Sequence, residues 1–215
     1  MRHLLIAALL LAASPLAWAA TPPLVSAAEA GDVAAVRRLL AAGGKVDERD
    51  PRRRTALLAA TQRNHVAVAA VLIAAGADVD AQDEMLDSPY LLAGARGRLE
   101  ILRMTLKAGA DLKSTNRFGG TALIPACHYG HVETVRELLQ TKIDIDHVNH
   151  LGWTALLEAV ILGDGGAAHT EIVRMLVAAK ANLNIADPQG VTPLAHARSR
   201  GYGAIERILA AAGAR

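Results

Sequence analysis

Six side chains between positions 118 and 158 carry most of the chemistry this sequence offers: Phe118, His128, Tyr129, His150, Trp153 and Glu158. Glu158 and His128 form a conceivable acid/base pair, but no Ser, His and Asp arrangement, nucleophile elbow or phosphate-cradling glycine loop accompanies them. His147-x-x-His150 has the spacing of two metal ligands, yet no cysteine or carboxylate completes a set, so no metal is expected. Cys127 is the one cysteine, which excludes an intramolecular disulfide and a cysteine-based zinc cage. It falls at a helix position that packs against a neighbour, so a buried, inert thiol is expected. No catalytic residue and no cofactor are therefore expected. What remains is binding, because aromatic anchors beside polar groups are the usual make-up of interface hot spots. Beyond the leading segment there are five Phe, Tyr and Trp residues, of which Phe118, Tyr129 and Trp153 fall in this set. The competing reading has Trp153 packing over its own loop and Tyr129 covering a helix end.

The elements that must position these residues follow a period. Thr55-Ala56-Leu57, Ser88-Pro89-Tyr90, Thr121-Ala122-Leu123 and Thr154-Ala155-Leu156 recur every 33 residues, and Thr192-Pro193-Leu194 follows after 38. Nine residues after each start stands a helix breaker or its substitute: Asn64, Gly97, Gly130, Gly163 and Gly201. An amphipathic run then follows, as in Val132, Val135, Leu138 and Leu139, which recur at helical spacing. Each run closes on a segment such as Ala75-Gly76-Ala77-Asp78, where glycine suits a left-handed cap.

These units resemble the ankyrin repeat. The family pattern of Thr-Pro-Leu, Gly-His and Gly-Ala-Asp-Val-Asn is met by Thr192-Pro193-Leu194, Gly130-His131 and Gly109-Ala110-Asp111-Leu112, with Pro22-Pro23-Leu24 and Gly31-Asp32 as a degenerate first copy. The resemblance implies an all-α ankyrin-repeat solenoid, with helix-turn-helix-loop units stacked into a curved array. Six units are expected, at about 22–50, 51–83, 84–116, 117–149, 150–187 and 188–215. The physical reading agrees. Thr55, Thr121, Thr154 and Thr192 are placed to cap first helices, and small residues such as Ala59, Ala93, Gly94 and Ala126 allow close approach between units. No unit buries its apolar face alone, so the core comes from stacking, and leucines such as Leu139 and Leu176 are expected inside it.

The chain also departs from the family. Its usual histidine is replaced by Leu58, Leu91, Ile124, Leu157 and Ala195, and the loop glycine gives way to Arg53 and Leu86, so two loops are expected to differ in shape. Asp164 to Ala168 is a five-residue insertion between the helices of unit five, read either as a loop that grips a partner or as a neutral change of length.

The resemblance further implies a concave groove lined by loop tips and first helices. Projected onto this sequence, its groove residues are Phe118, His128, Tyr129, His150, Trp153, Glu158 and His196, with Arg52, Arg54, Met85 and Arg117 as secondary tip residues. The run Arg52-Arg53-Arg54 is expected to be neutralised by Glu84 and Asp87 of the adjacent tip. One or more proteins are the expected partners. The readings of the groove are a non-enzymatic protein-protein interaction module, an immunity-type inhibitor of a toxin or protective factor for a periplasmic enzyme, and, from another class, a small-ligand binder or enzyme using Glu158, His128 and Trp153.

Composition narrows the partners. Lys plus Arg is 23 against 21 for Asp plus Glu, a net charge of +2, which lacks the basic excess of a nucleic-acid binder. Hydrophobic residues make up 52% of the chain and aromatic ones 3%, which suits closely packed helices of Ala, Leu and Val. Residues 1–19 read as a secretory signal: Arg2, the apolar stretch Leu4–Ala13, the breakers Ser14 and Pro15, and Ala17-Trp18-Ala19 before a cleavage point at Ala20. The apolar stretch is shorter than the ~20 residues a bilayer span needs. The mature chain is thus expected in the periplasm, off the membrane and monomeric.

Overall fold

The computed structural model describes residues 21–215, so the signal segment read at 1–19 lies outside the described residues. The chain forms twelve helices there: α1 Pro23–Ala30, α2 Val33–Ala41, α3 Ala56–Arg63, α4 Val66–Ala74, α5 Pro89–Ala95, α6 Leu99–Lys107, α7 Leu123–His128, α8 Val132–Leu138, α9 Ala155–Ile161, α10 Ala167–Ala178, α11 Pro193–Ser199 and α12 Gly203–Ala211. Among the described residues there is no strand. Consecutive helices pair antiparallel, and each odd helix packs on the next odd helix and each even one on the next even one. The result is two stacked helical layers with five tips joining successive pairs along one side.

A side-chain cap starts four of the six first helices. Thr55 accepts from the Leu58 N–H at 3.2 Å, Ser88 from Leu91 at 3.2 Å, Thr154 from Leu157 at 3.2 Å and Thr192 from Ala195 at 3.3 Å. Such caps satisfy N–H groups that the first turn leaves unpaired. The expected cap at Thr121 does not form: α7 begins two residues later and the Thr121 hydroxyl is buried without a partner. Pro125 explains this. It has no N–H to return to the Thr121 carbonyl, so the turn closes instead from the Ile124 N–H at 3.3 Å.

The seam between the layers is made of Val25, Leu57, Leu72, Tyr90, Ile101, Leu123, Leu138, Leu156, Ile172 and Leu176, each nearly or wholly inaccessible. Leu139 is different from expectation. It ends α8 and is only half-buried, and Leu138 takes the core place. Gly94 marks a close approach of two units, since a Cβ there would stand 2.8 Å from the Ala122 Cβ and 3.0 Å from its carbonyl oxygen. Imidazole rings also bridge successive units: His65 Nε2 meets the Glu29 carbonyl at 3.1 Å and His169 Nε2 meets the His128 carbonyl at 2.9 Å, while the Tyr202 hydroxyl donates to the Gly163 carbonyl at 2.9 Å. One set of polar contacts between units thus comes from the start of the second helix.

The tips share one architecture. An acid or amide at the base of each tip, buried at Asp50, Asp83, Asn149 and Asp187 and half-buried at Asn116, accepts through Oδ1 from the N–H groups two and four residues on, at 2.8–3.1 Å. The next-but-two residue then turns left-handed. Gly119, Gly152 and Gly190 do so at φ 71°, 78° and 78°, and Arg53 and Leu86 do so equally at 62° and 58°. The two tips without glycine thus keep the common shape, contrary to the expectation of different loops, because the base carboxylate dictates the turn. The left-handed region costs a side-chain-bearing residue ~1 kcal/mol or more. Arg53→Gly with Leu86→Gly should accordingly raise the melting temperature by a few degrees, read by thermal circular dichroism, since both side chains are mainly solvent-facing.

The insertion lies where it was expected, between α9 and α10. Part of it becomes structure: Ala167 and Ala168 extend α10 to 12 residues, and Asp164 Oδ1 receives His169 Nδ1 at 2.8 Å.

Candidate functional site

An open cavity of about 380 Å³ lies on the tip side, midway along the array. Its make-up follows from the repeat register. The residue two past each base acid or amide is exposed at its tip: Arg52, Met85, Phe118, Leu151 and Gln189. The residue eight past each cap position ends or follows its first helix: Arg63, Arg96, Tyr129, Leu162 and Arg200. Four past it lies the floor: Ala59, Leu92, Pro125, Glu158 and His196. The cavity forms where the middle members of these three rows meet, with Phe118 and Leu151 above, Arg96, Tyr129 and Leu162 beside, and Leu92, Pro125 and Glu158 below.

Its apolar walls are open to solvent. Tyr129 is 59% exposed, Phe118 51%, Leu151 49% and Leu162 43%, and Met85 adds 41% one tip away. The Arg117 guanidinium lies over the Phe118 ring, 4.6 Å from its centre, and the His128 ring stacks on Tyr129 at 4.2 Å. These neighbours hold the aromatic faces in place.

Glu158 on α9 is the charged group of the floor and is only 5% exposed. Oε1 accepts from Asn149 Nδ2 at 2.9 Å. Asn149 Oδ1 is already used by the tip's own N–H groups, so its amide must present Nδ2 to Glu158. Oε2 lies 3.5 Å from His128 Nδ1. Burial pushes the Glu158 carboxyl up to about 7, against the pull of the Asn149 bond. Burial, with His169 nearby, lowers His128 below the usual imidazole range, so its ring is neutral at neutral pH. Cys127, fully buried beneath, has its thiol pushed far up by burial and by Glu158, which makes it inert as a nucleophile.

The structure thus gathers Phe118, His128, Tyr129, Glu158 and Arg117 around one cavity and leaves the other groove residues outside its lining. His150 sits against Gly119, with its N–H on the Phe118 carbonyl at 2.9 Å. The His147 ring meets the Gly119 carbonyl at 2.7 Å, so both histidines of the 147–150 pair serve tip-to-tip packing. Trp153 is half-buried and follows its own tip. His196 Nε2 meets Asp187 Oδ2 at 2.7 Å. Arg54 is not a free tip residue: it binds Asp50 at 2.7 Å and Glu29 at 3.3 Å, with Gln62 at 3.0 Å. Among the described residues only Arg54 of the arginine run is ion-paired, to its own tip and to the unit behind, so the expected neutralisation of the run by Glu84 and Asp87 is not formed. The link to the tip ahead is a backbone bond from the Glu84 N–H to the Arg52 carbonyl. Asn149, Leu162, Leu92 and Pro125 were not anticipated. The recurrence of Asp or Asn at 50, 83, 116, 149 and 187 is the signal that marks Asn149.

Six stacked helix pairs with tips bracketed by acids define a repeat scaffold with a side-chain-lined groove, and the profile described as ankyrin repeats (3 copies) matches residues 3–83 and 90–187. The chain belongs to the ankyrin-repeat family. It is similar to the crystal structure of an ankyrin repeat domain from Acinetobacter baumannii AYE, with 55% identity and a TM-score of 0.87 over 90% of this chain and 98% of that one. The ankyrin repeat protein EF0377 is also similar, at 42% identity and a TM-score of 0.85 over 87% and 96% of the two chains. An ankyrin repeat protein of Escherichia coli (strain K12), YahD, is 44% identical over 57 residues, which span 26% of this chain and 28% of that protein. Ankyrin repeats are in general protein-protein interaction scaffolds without enzymatic activity.

Proposed function

We propose that this chain is an exported, monomeric binding module that holds a partner protein in the groove between Met85 and Leu162. The observation that carries this reading is the row of solvent-facing apolar side chains, Met85, Phe118, Tyr129, Leu151 and Leu162, on tips and helix ends whose backbones are already fixed. A scaffold ordered before binding loses little entropy when a partner docks, so a modest apolar area suffices for affinity. The positively charged start, ten-residue apolar stretch and Ala17-Trp18-Ala19 site support delivery to the periplasm.

The test is affinity capture from periplasmic extract on the mature chain, beside a Phe118→Ala, Tyr129→Ala, Leu151→Ala variant. All three side chains are exposed, so the variant should keep its helical content and melting temperature. The expected result is a protein retained by the first bait and lost from the second, with binding weakened by a hundredfold or more, as truncation of a hot-spot cluster implies. An identical catch on both baits would place the partner elsewhere and remove this groove from the account.

A further inference from the structure

Glu158 is buried beside the cavity, and among the described residues no arginine or lysine pairs with it. Its Oε1 has the neutral Asn149 amide, and Oε2 has nothing nearer than the neutral His128 ring at 3.5 Å. The other charged groups of the lining are Asp87, Arg96 and Arg117, and the two guanidinium charges act on Asp87, on the unit-three side. Cys127, packed below, is a protonated thiol. A buried carboxyl with no positive partner is costly to keep, and an opposite charge brought to it from outside is correspondingly favoured. The walls fit such a guest. Tyr129, stacked on one side by His128, is an aromatic surface of the kind that attracts cations, and Leu151 and Leu162 present apolar surface for a methylene stem.

We infer that the cavity receives one basic side chain of the bound partner, an arginine or lysine, whose head group pairs with Glu158 Oε2 while its stem lies against Tyr129, Leu151 and Leu162. The inference rests on the groove reading above and specifies the chemistry of the partner at one point. It carries a proton with it. The carboxyl holds a proton below about pH 7 in the free chain, and the arriving cation displaces it. Affinity therefore rises with pH from 6 to 8, about tenfold, and levels off above. Protonation of His128 at lower pH acts in the same direction, because the imidazolium competes with the guest for Oε2.

The experiment titrates the isotope-labelled full-length mature chain with N-butylguanidinium chloride, and in parallel with neutral N-butylurea and anionic butyrate, following backbone amide signals at pH 6 and pH 8. Saturable shifts at Tyr129, Asn149 and Glu158 are expected with the guanidinium, at an affinity about tenfold weaker at pH 6 than at pH 8. Glu158→Gln keeps the bond from Asn149 and should weaken binding at pH 8 by about tenfold or more while abolishing the pH dependence. Tyr129→Ala, at an exposed position, serves as a second variant and should weaken binding severalfold. Equal binding of the urea or the butyrate, a Glu158→Gln chain that binds the guanidinium unchanged, or shifts confined to other units would each overturn the inference. The two readings fail separately. Full capture of the partner by Glu158→Gln, with loss in the Phe118, Tyr129, Leu151 variant, sinks the basic side chain and keeps the module.

Discussion

Glu158→Gln should raise the melting temperature at pH 8 and leave it nearly unchanged at pH 4. In the folded chain the carboxyl stays protonated to about pH 7, whereas unfolded it titrates near 4.5. Between these values the folded state holds a proton that the unfolded state has lost. The stabilising contribution of the neutral carboxyl is thus complete below pH 4.5, declines as pH rises toward 7 and is gone above it. At about 1.4 kcal/mol per pH unit the full difference is roughly 3 kcal/mol, and solvent reaching Oε2 through the cavity mouth reduces the expectation to about 1–3 kcal/mol. For a chain of this size that is on the order of 3–10 °C. Glutamine imitates the neutral form at every pH, so the variant's melting temperature should lack this alkaline decline. Parallel decline of both chains between pH 5 and pH 8 would show that Glu158 is ionised at no cost in the fold.

Leu176→Ala is expected to have the largest effect of any single core truncation at the C-terminal end. Leu176 is fully inaccessible on α10, which packs against α8, α9 and α12. Emptying such a site costs about 2–5 kcal/mol. In a stacked array the loss falls on the interfaces to both neighbours, and among the described residues α11 and α12 pack on one neighbouring pair. The midpoint should drop by roughly 5–15 °C, with amide exchange quickening first in α9 to α12. Leu139→Ala, at a half-buried helix end, is the matched control and should cost about 1 kcal/mol. A drop no larger than the control's would mean that the array does not depend on this seam.

The helix pairs were legible because they rest on short-range signals: a hydroxyl before Ala or Pro, a glycine nine residues on, apolar positions at helical spacing. Where a second short-range rule intervened, as Pro125 did beside Thr121, the signal failed locally. The rim of the cavity was legible too, since Phe118, Tyr129 and Leu151 follow from register alone. Its floor was not. The same register position holds Ala59, Leu92, Pro125, Glu158 and His196, and only the packing of Asn149 over α9 decides that Glu158 is enclosed. The pairing of Arg54 with Glu29, 25 residues earlier, likewise depends on the angle between two units, which no spacing encodes.

The acid at the base of each tip has a further consequence. Because Asp50, Asp83, Asn116, Asn149 and Asp187 impose the turn from beneath, the outward residue two places on contributes its backbone N–H to that turn but not its side chain. Arg52, Met85, Phe118, Leu151 and Gln189 occupy five equivalent sockets, and the chemistry they display is independent of the bracket that holds them. Recognition in this protein can therefore drift one residue at a time without passing through misfolded intermediates, and an exchange of Phe118 with Gln189 would move an anchor along the array as a label moves between identical shelves.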